Sequence, residues 1–220
     1  MARLISLHDR YLYLCTPSRP NLAKFIEACI AGGVDVVQLR EKHLEAREVL
    51  AAATIAKKVC AHYGVPFILN DRPDLALEVD ADGVHVGQED APPSLARRIL
   101  GENRLVGLST HRAEEVMEAN QERLDYVSAG PVLATPTKPG RPGTGQAYVR
   151  FASSISRWPV FVTGGVTPDL LEPSWRVGAR HFVVVRYLTE ASDPKGNARK
   201  LRDKIEELME KFPGLQGTIV

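Results

Sequence analysis

The stretch VDVVQLREK, residues 34–42, is an apolar, β-branched run that ends abruptly in three charged residues. Apolar runs with little alternation are typical of β-strands that are buried on both faces of a sheet. Similar runs recur along the chain and predict eight strands. The predicted strands cover residues 11–16, 34–40, 66–70, 83–86, 105–110, 126–130, 160–163 and 181–185.

Longer amphipathic segments separate these runs and predict helices over residues 22–31, 45–63, 75–79, 94–100, 113–121, 149–156, 170–177 and 197–211. This alternation favours the α/β class and a single-domain (β/α)8 TIM barrel over residues 1–220. Its core is expected at about residues 11–211, with a loosely held tail over 212–220. A doubly wound open sheet is the alternative, because alternation alone does not close a barrel.

The composition is that of an ordinary soluble protein, with 44% hydrophobic and 25% charged residues. A formal net charge of +1 provides no overall field to attract nucleic acid or an anionic membrane. We find no signal peptide or transmembrane span and therefore expect a cytoplasmic protein. The three cysteines lack C-x-x-C spacing and are expected to be buried thiols. This composition is compatible with a homo-oligomer.

Polar residues follow seven of the eight predicted strands directly. In a barrel all these strand ends meet on the carboxyl-terminal face, where the active sites of this fold lie. Arg40 and Lys42 form a compact cationic pair that suits phosphate oxygens, although a solvated loop paired to Glu41 is the alternative. Asp71 and Asp90 end neighbouring strands and could share Mg²⁺, with Asp74 and Glu89 as nearby alternatives. Asp71 or Asp90 could instead cap a helix. Together these groups suit a diphosphate.

A second anion site is predicted after the last two strands, at Gly164-Gly165 and Val185-Arg186. Main-chain N–H groups at this place in a barrel often hold a phosphate, although the glycines could serve only a tight turn. Residues 135–138 (TPTK) lie between the two sites, and the Gly/Pro-rich loop 139–146 could close over them.

His111 is a candidate acid or base, with a structural histidine as the alternative.

Six segments resemble the thiamine phosphate synthase family, and they occur in the family's order. They are VVQLREK (36–42), ILNDR (68–72), GVHVGQED (83–90), VGLSTH (106–111), AGPVLATPTKPG (129–140) and TGGV (163–166). The resemblance implies a barrel enzyme that joins hydroxymethylpyrimidine diphosphate to a thiazole phosphate and releases diphosphate. It also implies Mg²⁺ as cofactor, two small phosphorylated substrates, and a dissociative mechanism through a carbocation.

The resemblance assigns roles residue by residue. Asp71 and Asp90 would hold Mg²⁺, and Arg40, Lys42, Ser109 and Lys138 would be catalytic. The pyrimidine diphosphate would bind Gln38, Leu39, Arg40, Glu41, Lys42, Asn70, Ser109 and Lys138. The thiazole phosphate would bind Thr135, Pro136, Thr137, Gly165, Val185 and Arg186.

One departure concerns Arg186, because many family members have Ser at this position. Two other functions are alternatives for this chain. A thiazole tautomerase of similar fold would need an acid or base such as His111 but not the full diphosphate site. A non-catalytic sensor of thiamine precursors could lose the metal carboxylates. The presence of Arg40, Lys42, Asp71, Asp90 and Lys138 favours the synthase.

Overall fold

In the computed structural model, which describes residues 5–136, 140 and 142–213, eight parallel strands form a closed barrel in chain order. They are β1 Leu12–Thr16, β2 Val36–Leu39, β3 Phe67–Asn70, β4 Gly83–Val86, β5 Leu105–Thr110, β6 Tyr126–Ala129, β7 Val160–Thr163 and β8 His181–Val184. β1 pairs with β8 through Leu12 opposite Phe182, and this pairing excludes the open sheet. The predicted barrel is therefore confirmed, with every strand close to its expected position.

Helices follow the strands and surround the barrel. They are α1 Leu22–Ala31, α2 Ala46–Tyr63, α3 Pro73–Glu78, α4 Pro93–Leu100, α5 Ala113–Ala119, α6 Gly145–Ile155, α7 Pro168–Arg176, α8 Arg186–Thr189 and α9 Pro194–Lys211. α6 begins earlier than predicted, where Gln146 Nε2 donates to Ser174 Oγ of α7 at 2.9 Å. α8 was not predicted, because one helical turn is too short to show a periodic pattern.

Two apolar cores flank the strands. The larger one lies between the outer faces of the strands and the helices, and it includes Val37 and Leu39. The smaller one fills the barrel and includes Val36, which is adjacent in sequence to Val37. Successive strand residues therefore alternate between the two cores, as the pleat of a strand requires.

Two further expectations are tested by the described part of the chain. Cys15, Cys29 and Cys60 are buried and form no disulfide among the described residues, as predicted. None of the helices within the described residues is both long and apolar enough to cross a membrane. The expected loose tail falls mainly on residues 214–220, which lie outside the described residues.

Three aspartates, Asp35, Asp82 and Asp125, close the amino-terminal end of the barrel. Each precedes an even-numbered strand and accepts a hydrogen bond from a main-chain N–H of the strand before it. The carboxylates also pair with cations from the surrounding helices at 2.6–3.0 Å: Asp35 with Arg202, Asp82 with Lys57, and Asp125 with Arg97. These aspartates therefore tie neighbouring strands to each other and to the helices.

We expect Asp125→Ala to lower the free energy of unfolding by about 2–4 kcal/mol, because it leaves the buried Arg97 guanidinium without its carboxylate. Urea denaturation measures this loss. The control is Glu102→Ala, which breaks an exposed ion pair with Arg123 and should cost less than about 0.5 kcal/mol. Equal losses in the two variants would show that the Asp125 contacts do not stabilise the barrel.

Candidate active site

The carboxyl ends of the strands surround a cavity of about 290 Å³. Such a volume is near the lower end of the range for small-molecule sites. Its wall consists of Tyr13, Cys15, Gln38, Arg40, Asn70, His85, Ser109, Tyr126, Ser128, Pro131, Thr135, Thr163, Gly164, Gly165, Val166, Thr167, Val183, Val185, Arg186, Tyr187 and Glu190. The floor of the cavity, inside the barrel, is aromatic and polar. The charged residues of the wall are Arg40, Arg186 and Glu190.

Gln38, Arg40 and Asn70 line one side of the cavity, at the ends of β2 and β3. The side chains of Gln38 and Asn70 are buried. Asn70 Nδ2 has no hydrogen-bond partner within the described residues, although it is shielded from solvent. Because a buried donor without a partner is costly, an acceptor atom on a ligand would stabilise this side of the cavity.

Leu39 and Glu41 do not point into the cavity. The side chain of Leu39 lies in the outer apolar core, so it is the main chain of this residue that could contact a ligand. Glu41 Oε1 accepts a hydrogen bond from the main-chain N–H of Ser18 and thereby holds the loop after β1. Both residues keep the segment after β2 in place beside Arg40.

Lys42, Asp71 and Asp90 form a charged cluster at the ends of β2, β3 and β4. The Lys42 ammonium contacts Asp71 and lies 3.8 Å from Asp90. Asp71 has a left-handed backbone (φ 63°), and its N–H donates to the carbonyl of His85 at 2.8 Å. Asp90 accepts from the Gly87 N–H at 2.8 Å. The strand ends thus bring the two carboxylates predicted from the sequence to one place.

Burial and then the hydrogen bond with Asp90 raise the pKa of Asp71 to about 6, although Lys42 opposes this rise. Burial also acts to raise the pKa of Asp90, but hydrogen bonds from Asp71 and from the Gly87 N–H outweigh it and lower that pKa. The two carboxyl groups therefore share a proton at mildly acidic pH, since one ammonium does not compensate both charges.

A divalent cation fits this pair. Mg²⁺ takes one or two carboxylates in proteins and completes its shell with water and substrate phosphates. Among the described residues, no cluster of three or more His, Cys, Asp or Glu side chains could hold a metal by itself. Asp71 and Asp90 could hold Mg²⁺ only with oxygens from water or a ligand, which is the arrangement typical of phosphate-binding Mg²⁺ sites.

Ser109 lies on the cavity floor at the end of β5. Its hydroxyl is 2.9 Å from His85 Nε2 and 3.4 Å from Ser128 Oγ. Its carbonyl accepts a hydrogen bond from Gln88 Nε2 at 2.7 Å. Contacts from β4, β6 and the loop after β4 therefore hold Ser109 firmly.

The opposite side of the cavity is built on the loops after β7 and β8. Gly164 (φ 94°) and Gly165 (φ 77°) both have left-handed backbones, and added Cβ atoms would crowd Pro131 and Leu133 respectively. These positions therefore require glycine, which lets the main chain approach a ligand closely. Val185 and the exposed Arg186 lie beside them in the cavity wall.

The segment after β6 is described only in part. Thr135 lines the cavity, and Pro136 follows it on the surface. Thr137 and Lys138, which the sequence places between the two sides, lie outside the described residues, as do Pro139 and Arg141 of the predicted closing loop. His111 is not part of the cavity wall, and its Nδ1 contacts the carbonyl of Gly130.

Several cavity residues were not assigned a role from the sequence. They are Tyr13, Cys15, His85, Tyr126 and Ser128. All five lie on strands and face the inside of the barrel. The signal that could have found them is the period of two: Tyr13 and Cys15 share one face of β1, and Tyr126 and Ser128 share one face of β6.

Comparisons with known proteins agree with this geometry. A family model described as "Thiamine monophosphate synthase" matches residues 12–188. The thiamine-phosphate synthase of Thermobifida fusca is 46% identical over 204 residues, which cover 90% of this chain and 94% of that protein. The protein of the same name from Thermus thermophilus is 46% identical over 200 residues, covering 88% and 96%. The structure of thiamine phosphate pyrophosphorylase from Pyrococcus furiosus superposes with a TM-score of 0.85 at 28% identity, covering 93% of this chain and all of that one.

The contacts of the charged cluster predict how Asp71 and Asp90 titrate in metal-free protein. Carbon-13 NMR of the side-chain carboxyl groups should show Asp71 titrating near pH 6, and Asp90 should titrate below the ordinary aspartate range. Lys42→Met should raise the pKa of Asp71 further, because the ammonium stabilises the ionised carboxylate. An ordinary pKa for Asp71, unchanged in the Lys42 variant, would contradict this account of the cluster.

Proposed function

The chain belongs to the thiamine monophosphate synthase family, and we propose that its cavity joins 4-amino-2-methyl-5-hydroxymethylpyrimidine diphosphate to 4-methyl-5-(2-hydroxyethyl)thiazole phosphate. The products are thiamine phosphate and diphosphate. A thiamine-phosphate synthase is a transferase, and its product belongs to thiamine biosynthesis. The observation that supports the proposed substrates is that Arg40 faces the glycine-rich loop across the cavity, while the cluster of Lys42, Asp71 and Asp90 lies at the same strand ends, just outside the cavity wall.

The pyrimidine diphosphate is assigned to the side of the cavity formed by β2 to β5. Arg40 and Lys42 compensate the charge of the diphosphate, and Asn70 offers the amide donor that has no partner among the described residues. Ser109 meets the pyrimidine on the floor. The complete proposed set is Gln38, Leu39, Arg40, Glu41, Lys42, Asn70, Ser109 and Lys138.

Mg²⁺ is the proposed cofactor, and Asp71 and Asp90 are its proposed ligands. The metal supplies electrostatic compensation for the negative charge that grows on the departing diphosphate. Because the two carboxylates repel each other and share one ammonium, a divalent cation lowers the electrostatic energy of the pair. Mg²⁺ should therefore bind more weakly at pH values below the pKa of Asp71, where a proton competes with it.

The thiazole phosphate is assigned to the side formed by the loops after β6, β7 and β8. Left-handed glycines expose main-chain N–H groups there, and Arg186 adds a positive charge in place of the more common serine. The proposed set is Thr135, Pro136, Thr137, Gly165, Val185 and Arg186.

The proposed reaction begins when the bond between the pyrimidine methylene carbon and the diphosphate oxygen breaks. The electron pair leaves with the diphosphate, where Arg40, Lys42 and Lys138 compensate the charge. The aminopyrimidine stabilises the methylene carbocation, and the thiazole nitrogen then donates its lone pair to form the new C–N bond. No protein nucleophile takes part, so the residues act by placing the substrates and by compensating charge.

The proposed partners are these two small phosphorylated substrates, and neither nucleic acid nor a membrane is needed for the reaction. We also propose that the chain acts in the cytoplasm. A homo-oligomer is compatible with the proposed chemistry, because one chain supplies all the assigned residues.

Asp71→Asn and Asp90→Asn should each lower kcat by about 10²–10³-fold, the usual cost of losing one preorganised electrostatic group. Asparagine tolerates the left-handed backbone of Asp71, so the change tests charge rather than folding. Asp74→Asn is the control, because Asp74 is an exposed carboxylate that pairs with Arg72 rather than with Lys42. Near-wild-type turnover of the Asp71 and Asp90 variants at limiting Mg²⁺ would remove the metal assignment.

Lys138→Ala should reduce turnover more than His111→Ala does. Lys138 is assigned to the departing diphosphate, whereas His111 contacts the main chain outside the cavity wall. Steady-state rates with both substrates measure the difference. The reverse order would favour the tautomerase, which needs an acid or base.

The proposed function itself is tested by incubating the purified chain with both substrates and Mg²⁺. Diphosphate and thiamine phosphate should appear in equal amounts, and omission of either Mg²⁺ or the thiazole phosphate should prevent formation of thiamine phosphate. If no diphosphate is released with both substrates present, the proposal is wrong.

A further inference from the structure

Four side chains form a continuous hydrogen-bonded chain beneath the cavity. The hydroxyl groups of Tyr13 and Tyr126 are 3.0 Å apart, and the Tyr126 hydroxyl is 3.1 Å from His85 Nδ1. His85 Nε2 then lies 2.9 Å from Ser109 Oγ. All four side chains are buried, so these contacts do not compete with bulk water. The chain runs from the interior of the barrel to the proposed substrate contact at Ser109.

The direction of these hydrogen bonds follows from their inner end. Tyr126 is the hydrogen-bond partner of the Tyr13 hydroxyl within the described residues. A buried hydroxyl that does not donate its hydrogen is costly, so Tyr13 donates to Tyr126. The Tyr126 hydrogen then remains for His85 Nδ1. A neutral imidazole has one donor and one acceptor nitrogen, so acceptance at Nδ1 leaves the hydrogen on Nε2, which donates to Ser109.

Ser109 Oγ therefore accepts hydrogen bonds on both of its lone pairs. One comes from His85 Nε2, and the other comes from Ser128 Oγ at 3.4 Å. The hydroxyl hydrogen of Ser109 is therefore directed into the cavity, because Ser109 lines the cavity wall.

Packing holds this arrangement rigidly. The Tyr126 ring lies against Gly107 of β5, where the Cβ of any other residue would overlap the ring. The Phe161 ring meets Tyr13 and Tyr126 edge-on, with ring centroids 5.4 Å and 5.3 Å apart. Burial, the largest cause, raises the pKa of both tyrosines above the ordinary value, so both hydroxyls keep their hydrogens.

We propose that Tyr126 is a positioning residue that acts through His85 to fix Ser109 as a hydrogen-bond donor toward the pyrimidine substrate. This inference rests on the proposed function only for the identity of that substrate. It implies that Ser109 faces an acceptor atom of the aminopyrimidine, such as a ring nitrogen, rather than the hydrogens of its amino group. A donor at a ring nitrogen orients the ring before the methylene–oxygen bond breaks.

The first test measures the tautomer of His85 directly and needs no substrate. Long-range ¹H–¹⁵N correlation spectra of ¹⁵N-histidine-labelled protein at pH 8 distinguish a ring protonated at Nε2 from one protonated at Nδ1. His85→Gln identifies its signal among the six histidines. We expect the Nε2–H tautomer. A ring protonated at Nδ1, or at both nitrogens, would overturn the proposal.

The second test compares three tyrosine-to-phenylalanine variants. Tyr126→Phe should allow both His85 tautomers and lower kcat/KM for the pyrimidine diphosphate by roughly tenfold, the effect of one lost hydrogen bond. The KM for the thiazole phosphate should stay within about twofold, because that substrate is assigned to the opposite side of the cavity. Tyr13→Phe should cause a smaller loss and keep the Nε2–H tautomer, because Tyr126 still donates to His85. Tyr148→Phe changes a buried tyrosine outside the cavity wall and should leave kinetics and tautomer unchanged.

A merely structural role for Tyr126 predicts another pattern. Tyr126→Phe and Tyr13→Phe would then lower activity in proportion to their loss of stability in urea, and the His85 tautomer would not change. That result would overturn the proposal. This result is distinguishable from failure of the proposed function. The His85 tautomer can be measured even in wild-type protein that releases no diphosphate.

Discussion

Main-chain pairing of β8 with β1 joins the last strand of the sheet to the first, so no strand is left with an open edge. All eight pairings are parallel, so closure brings all the carboxyl ends together around one cavity. Closure also separates inward from outward positions along each strand. Residues distant in sequence, such as Tyr13 and Tyr126, are thereby brought into hydrogen-bond contact.

Aspartates at the two ends of the barrel have different surroundings. At the amino-terminal end, Asp35, Asp82 and Asp125 each accept main-chain hydrogen bonds and pair with a cation from a helix. At the other end, Asp71 and Asp90 share the ammonium of Lys42, and the pKa of Asp71 is raised. In the first arrangement each carboxylate has its own cation and main-chain donors, which stabilise the barrel, although burial raises the pKa of Asp35 to about 6 as well. The second is not fully compensated, which is the electrostatic condition for recruiting a cation.

The fold could be predicted from the sequence because strands buried on both faces have apolar runs that stand out from amphipathic helices. The single turn of α8 and the start of α6 at Gly145 could not, since one turn has no period and Gly-rich sequence indicates a loop. Strand-end residues such as Arg40 and Asp71 were found because their polarity breaks an apolar run. His85 and Tyr126 lie within such runs, so their role depends on the register between strands, which the sequence does not state.

We propose a division of the carboxyl-terminal end of the barrel into a metal and diphosphate side and a second phosphate side. Its most direct test is a crystal structure with the pyrimidine diphosphate and Mn²⁺, which replaces Mg²⁺ and is located by anomalous scattering. We predict one Mn²⁺ peak in contact with the carboxylates of Asp71 and Asp90, with diphosphate oxygens on Arg40 and Lys42. A diphosphate bound at Gly164 and Gly165, with no Mn²⁺ peak beside the two aspartates, would contradict it.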